Sequence, residues 1–412
     1  MRECLNMKKF MIFYLLIFFV QGIVTNSHHP LMPYYVEAIG VPNYMFGFFF
    51  SFMNLGMMFG GPFWGNLADN NKKKTSLIIG ILIYALMQIL FGMGHIFDQW
   101  TLSVFRFISG FGMAAALTIL FGDMILVSEP KERAKHIALG VASLGLGAAI
   151  GQFLGGFIHT NAFFIEYFRT DLFFNTFLIQ AIGVACFALL IFIWFKPKEV
   201  AIDPNKKRTQ FWEGFKEVKH IKPELLFFLI ALTLITIAAT NVEKYLDVYF
   251  NDLGYLANEL GNFKMVAGIV SLLAGVLLVP VFMRILHRLK LMSAFQIISA
   301  ILILILFRVP GSQFLIYLYT IYMIYIAIKA IFSPLEQDYI SKFSNETNVA
   351  TTLGIRQSFF SIGTIIGPIF GAFVYDYSPS LLFDSSVLFF LLSLIFIYLS
   401  NFFRKKTIAT IL

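Results

Sequence analysis

The chain has 412 residues, of which 58% are apolar and only 13% charged, and its mean hydropathy is +0.79. That balance excludes an ordinary water-soluble domain and requires lipid as the solvent. The formal net charge of +8 is not gathered on one surface, which excludes a nucleic-acid-binding reading.

A helix needs about 20 apolar residues to cross the hydrocarbon. Polar interruptions divide the chain into twelve such stretches, near residues 10–27, 43–67, 75–95, 99–123, 136–160, 171–195, 223–250, 259–284, 291–308, 313–336, 351–376 and 382–403. Lys8 and Lys9 precede the first as in a signal peptide, but no small-x-small cleavage site follows, so it reads as an uncleaved first helix. Counting loops from an internal N-terminus, about 24 of the 31 Lys and Arg fall in the N-tail, the even-numbered loops and the C-tail, against Arg169, Lys264 and Arg308 outside. Both termini are therefore expected in the cytoplasm. Arg106, Lys244, Lys329 and Arg356 fall within spans or at their edges and carry no topological information. Cys4 and Cys186 are the only cysteines and have no ligand spacing, so neither a disulfide framework nor a metal site is implied.

The longest polar stretch, 196–222, holds Pro197, Pro204 and the run Lys206, Lys207, Arg208. It divides an all-α membrane protein into an N-terminal six-helix bundle, 1–195, and a C-terminal one, 223–412. Within it, Phe211, Phe215 and Val218 recur at helical spacing, the pattern of an amphipathic helix on the lipid surface or of a solvated linker. The halves echo each other. GAAIGQFLGG (Gly147 to Gly156) and GTIIGPIFGA (Gly363 to Ala372) lie about 216 residues apart. Small residues at every fourth position, Gly147, Gly151 and Gly155 (with Gly156 adjoining) in one copy, Gly363, Gly367 and Gly371 in the other, make a smooth helix face for close packing.

The loop after the second span reads GNLADNNKKK. It resembles the cytoplasmic signature of the major facilitator superfamily, Gly-x-Leu-Ala-Asp-Arg-x-Gly-Arg-Lys, matching at Gly65, Leu67, Ala68, Asp69, Lys73 and Lys74, with Asn70 and Lys72 in place of the Arg and second Gly. FRFISG resembles the fourth-span Arg-x-x-x-Gly signature through Arg106 and Gly110; in that family this Arg is associated with proton coupling. The stretch from Gly147 resembles the fifth-span signature of proton-antiport exporters, with Gln152 in the Pro position, whereas the eleventh-span copy has its Pro368. The resemblance covers essentially the whole chain. It implies the major facilitator fold of two pseudo-symmetric bundles, a substrate site near the bilayer midplane, alternating access and a monomer.

The seventh span ends TNVEKYLDVYFNDLG, in a setting similar to that of the drug:proton antiporter branch, the bacterial multidrug exporters. The resemblance implies that Glu243 takes part in proton and drug binding. Asp247 lies one turn on, and Lys244 is placed to pair with it. By length from Pro223, Glu243 is expected near the outer edge of the hydrocarbon. In the tenth span some relatives carry an acid where this chain has Lys329, whose options are snorkelling, an acidic partner or an anionic substrate. Gln152, Glu243 and Lys329 are the expected substrate-cavity residues, and Arg106, Glu243 and Asp247 those of proton coupling. Gly65, Asp69, Lys73 and Asp123, joined by Arg356, are expected to gate one end, and the glycine faces with Pro368 to serve as hinge or packing surfaces. His28, His29 and His95 read as interfacial polar residues near outer span ends.

The expected function is proton-coupled export of small amphipathic or cationic compounds through the cell membrane. Its alternatives are a proton symporter for a sugar, nucleoside or organic anion, and a lipid or lipid-precursor flippase. The partners are a small-molecule substrate, protons and membrane lipids, with no cofactor. No nucleophile elbow, phosphate loop or ATP-binding domain is discernible, so an enzyme is not expected.

Overall fold

A computed structural model describes residues 2–68, 72–129, 132–167, 172–198, 221–285, 287–343 and 349–411. Asp69 and the 211–218 amphipathic stretch lie outside the described residues. Among the described residues 12 helices are long and apolar enough to cross a membrane. They are α1 (Met11–Ala38), α2 (Met45–Leu67), α3 (Lys73–Gly92), α4 (Gln99–Val127), α5 (Lys135–Thr160), α6 (Phe173–Trp194), α7 (Pro223–Asp252), α8 (Ala257–Phe282), α9 (Arg288–Leu306), α10 (Gly311–Ser341), α11 (Gly354–Tyr377) and α12 (Pro379–Lys405). Each overlaps an expected span.

The first span departs most from its expected extent. Its helix runs to Asn26, turns at Ser27 and His28, and resumes through His29–Leu31 to Ala38. Pro30 and Pro33 supply the break, because neither has an N–H to return to the preceding turn. The segment therefore continues past residue 27, and His28 lies inside a span rather than at its outer end.

The chain forms two compact units, one comprising Met1–Arg208 with Phe250–Ile269, the other Thr209–Tyr249 with Val270–Leu412. In the first, α2 packs on α4, α3 on α4 and α6, and α1 on α5. Phe18, Leu77, Ile81, Ala115, Leu120 and Ile191 fill its interior. Apolar burial from water cannot drive such contacts once helices are in lipid, so close packing carries them. The α1–α5 seam shows how: a Cβ built on Gly147, Gly151 or Gly155 would collide with the carbonyl oxygen of Phe19, Ile23 or Ser27, respectively. The two helices advance in step, four residues each time. The 250–269 segment is held in this unit by Tyr34 OH donating to the Tyr255 carbonyl at 2.7 Å and Asn251 Nδ2 to Glu37 Oε2 at 2.7 Å.

The second unit repeats the seam between α7 and α11. Gly363 faces Thr236, Gly367 the Ile237 carbonyl, and Gly371 the ring of Tyr245. Tyr245 OH donates to the Pro368 carbonyl at 2.8 Å. Elsewhere α9 packs on α10 and α12, and α11 on α12. Helix α10 contains a π-helical stretch, Leu318–Tyr322, and Pro334, both of which loosen its backbone ladder.

A charged fastener is also duplicated. Lys73 at the start of α3 binds Asp123 near the end of α4 at 2.6 Å. Arg288 at the start of α9 binds Asp338 near the end of α10. Each member of the second pair lies 215 residues after its counterpart. The first pair is sealed, with side-chain exposures of 7% and 0%, and the second is half open, at 16% and 29%.

Candidate functional site

Each unit holds a polar cluster inside its apolar helices. In the first unit the broken α1 creates it. The turn at Ser27–His28 interrupts the helical ladder, leaving the Thr25 carbonyl to accept from Tyr84 OH at 3.0 Å and from Gln180 Nε2 at 3.2 Å. His28 follows, fully buried, with Nδ1 2.8 Å from Gln180 Nε2 and Nε2 3.3 Å from Arg106 Nη1. Gln88 closes the ring: its amide donates to Tyr84 OH at 2.8 Å and to Gln180 Oε1 at 3.1 Å, and its Oε1 is 3.5 Å from Arg106 Nη1.

Arg106 is fully buried and makes no ion pair among the described residues. A guanidinium in such a place is costly unless something replaces its water. Here Phe91 and Phe50 lie 5.0 and 5.8 Å from its central carbon, and such contacts contribute about 0.5–2 kcal/mol each. Its Nε and Nη2 have no hydrogen-bond partner. A guanidinium N–H can only donate, so the contact with Arg106 Nη1 uses the lone pair of His28 Nε2.

In the second unit Lys329 Nζ of α10 binds Glu243 Oε1 of α7. Of the options open to Lys329, the structure takes the acidic partner. The pair is not fully enclosed, with side-chain exposures of 43% and 31%. Glu243 does not sit at the end of its helix: α7 continues nine residues beyond it to Asp252, about 14 Å. Its partner is likewise deep, 12 residues before the end of α10. Tyr322 and Tyr325 are buried within electrostatic reach of Glu243. Asp247, one turn along, is 3% exposed and also acts on Tyr322. Thr233, Thr236, Thr240, Glu243 and Asp247 recur at spacings of three and four, so α7 presents one polar stripe. Its threonines bond back to the carbonyls four residues earlier.

The expected gating residues divide between units. Asp123 accepts from Lys73 Nζ at 2.6 Å, from Tyr14 OH at 2.6 Å and from the Lys198 N–H at 3.2 Å, so it ties α1, α3, α4 and the segment after α6 together. Arg356 instead binds Glu336 within the second unit, Nε to Oε1 at 3.0 Å. A Cβ built on Gly65 would meet, among the described residues, a methyl of Thr118 at 3.5 Å, an ordinary contact. Gln152 lies on α5 with its carbonyl beside Gly261. A Cβ built on Gly156 would meet the Ala257 carbonyl, about 100° round α5 from the seam residue Gly155. His95 lines an open surface depression of about 500 Å³ with Pro42, Asp98 and Trp100. Sequence reasoning placed His28 at the interface and missed Tyr84, Gln88 and Gln180. Their signal was present: polar side chains inside apolar spans need partners, and four such residues in one half announce a network.

Residues 14–328 and 255–409 match the family model described as Major Facilitator Superfamily. The chain belongs to that superfamily. It is 23% identical over 354 residues to the quinolone resistance protein NorA of Staphylococcus aureus (strain MSSA476), covering 84% of this chain and 85% of that protein. It is 22% identical over 353 residues to multidrug resistance protein 2 of Bacillus subtilis (strain 168), covering 84% of each. Among solved structures, a bacterial homolog to the human lysosomal transporter Spinster, inward-facing and occupied, matches with a TM-score of 0.73 at 14% identity over 96% of each chain. The inward open xylose transporter XylE from E. coli matches at 0.71 and 13% identity, over 95% of this chain and 96% of that one. At those identities the two structures speak to fold alone. As a major facilitator protein the chain is a multi-pass membrane transporter of small molecules, driven as a secondary transporter, and not an enzyme.

Proposed function

We infer that this major facilitator protein exports small amphipathic or cationic compounds from the cytoplasm in exchange for protons, by alternating access. The reading is supported by likeness, over 84% of the chain, to two bacterial proteins named for drug resistance. The observation that carries it is the Glu243–Lys329 pair deep inside α7 and α10: a carboxylate that can exchange its bound cation for a proton inside a span. Arg106 and Asp247 are the further coupling residues, the glycine seams the surfaces on which helices shift, and the Lys73–Asp123 fastener an end lock. Basic residues along the loops place both termini in the cytoplasm, with the chain working as a monomer in the cell membrane.

A second reading, proton-coupled uptake of an organic anion, is favoured by Lys329, a cation where an acid would suit a cationic cargo. Inverted vesicles separate the two. Under an inside-acid gradient, export activity drives a fluorescent amphipathic dye inward and Glu243→Gln abolishes it. Failure of every dye at either gradient polarity sinks the export reading.

A further inference from the structure

We propose that the Glu243–Lys329 pair is a zwitterion site, taking amphipathic compounds that carry both a carboxylate and a protonated amine. This rests on the transport reading above and narrows its cargo.

The argument begins with charge balance. Glu243 and Lys329 neutralise each other inside the second unit, and both side chains are partly open, at 31% and 43%. The α10 face that carries Lys329 is polar: Lys329, Ser333 and Gln337 succeed one another every four residues, and Gln337 Nε2 donates to Ser333 Oγ at 3.3 Å. A stripe of that kind does not face hydrocarbon. A ligand bearing only a positive charge must take Glu243 from Lys329 and leave the ammonium behind as an unpaired neighbour of like sign. A ligand bearing only a negative charge strands the carboxylate in the same way. Both leave one charge of the pair without its counter-ion inside a membrane span, where partial exposure offsets only part of the loss. A zwitterion avoids that loss, since its carboxylate takes Lys329 while its ammonium takes Glu243, and each of the two charges is paired before and after. Rejection of single charges is then as much a part of recognition as attraction of the double one.

The surroundings fit an amphipathic body. Tyr322 and Tyr325 precede Lys329 on one face of α10, at i−7 and i−4, and their buried rings offer apolar surface beside the charges. Tyr325 is 2% exposed, and its hydroxyl has no hydrogen-bond partner. A buried hydroxyl so placed is an incomplete group that a polar atom of a ligand would satisfy. The π-helical stretch Leu318–Tyr322 ends at the first of these tyrosines, where a widened turn re-aims side chains.

The test uses full-length protein in lipid nanodiscs and three fluorescent probes of one skeleton. Nε-dansyl-L-lysine carries both charges, its methyl ester only the positive one, and its Nα-acetyl derivative only the negative one. The zwitterion is expected to bind at least tenfold tighter than either single-charge form. Glu243→Gln should raise the acetyl derivative to the zwitterion's affinity, and Lys329→Gln should do the same for the ester. The charge-exchanged double variant, Glu243→Lys with Lys329→Glu, should keep the preference for the zwitterion, which separates recognition from loss of folding. Equal binding of all three probes, tightest binding of the ester, no binding of any, or a preference that neither single substitution alters overturns the proposal. Export is scored separately: dye movement in vesicles without zwitterion preference leaves the transport reading standing, and zwitterion binding without gradient-driven movement removes it while the site remains.

Discussion

Removing the carboxylate of Asp123 should destabilise the protein far more than removing that of its repeat counterpart, Asp338. Asp123 is fully buried and accepts from Lys73, Tyr14 and the Lys198 backbone. In Asp123→Asn the amide retains part of this hydrogen bonding but leaves the 7%-exposed Lys73 ammonium with only the Lys198 carbonyl. Breaking one side of a buried pair costs about 3–5 kcal/mol. Asp338 shares its charge between Arg288 and Lys342 and is 29% exposed, so water compensates in Asp338→Asn, and about 1 kcal/mol is expected. Reversible unfolding of the purified protein in mixed micelles measures both. A double variant, Lys73→Met with Asp123→Asn, should recover most of the Asp123→Asn loss, because it removes both charges together and keeps an acceptor for Tyr14 and the Lys198 N–H. Equal costs at the two positions, or a double variant worse than Asp123→Asn, would refute the assignment of these energies to burial.

The α1–α5 seam predicts that Gly151→Leu prevents close approach to the Ile23 carbonyl and lowers the yield of folded protein sharply. Gly145→Leu on the same helix, with open space around it, should leave the yield unchanged. In the first unit, His28→Leu should leave the Arg106 guanidinium without its imidazole acceptor and reduce transport at least tenfold, whereas His28→Gln, which keeps an acceptor, should retain more; equal loss in the two variants, measured as initial vesicle flux, would argue against the contact. Asp98 caps α4, accepting from the N–H groups of Trp100 and Thr101, and hydrogen bonding led by the Thr101 side chain holds its carboxyl below the ordinary value. A lowered folded-state value means a contribution to stability present above about pH 4 and lost as pH falls through that lower value. The acid limb of the stability profile should therefore flatten in Asp98→Ala.

Much of this molecule could be read directly from its sequence, because lipid imposes a simple rule. Every span had to be long and apolar, and each of the twelve was visible as such. The glycine periodicity in the fifth and eleventh spans likewise corresponds to two close seams. What the sequence hid was partnership. Glu243 and Lys329 are 86 residues apart, and no local spacing says that they meet; the nearer Lys244 is placed by helical spacing toward Asp247 instead. Arg356 was expected at a shared end cluster, yet Glu336, 20 residues before it, holds it. His28 reads as interfacial because Pro30 and Pro33 look like the end of a helix, whereas here they interrupt one that goes on. The carbonyl freed by that interruption then gathers Tyr84 and Gln180, an event that depends on backbone geometry and leaves no mark in hydropathy.

The α1–α5 seam also distributes mutational risk unequally between its two helices. On the α5 side the contact consists of the absence of side chains, so any replacement of Gly147, Gly151 or Gly155 intrudes on a neighbour's backbone. On the α1 side the contact is made by the main-chain oxygens of Phe19, Ile23 and Ser27, atoms that every amino acid supplies. A saturation library across both helices should consequently record three silent-intolerant positions on one partner facing three permissive ones on the other. Drift in α1 can then reshape whatever its side chains touch without loosening the joint that holds it.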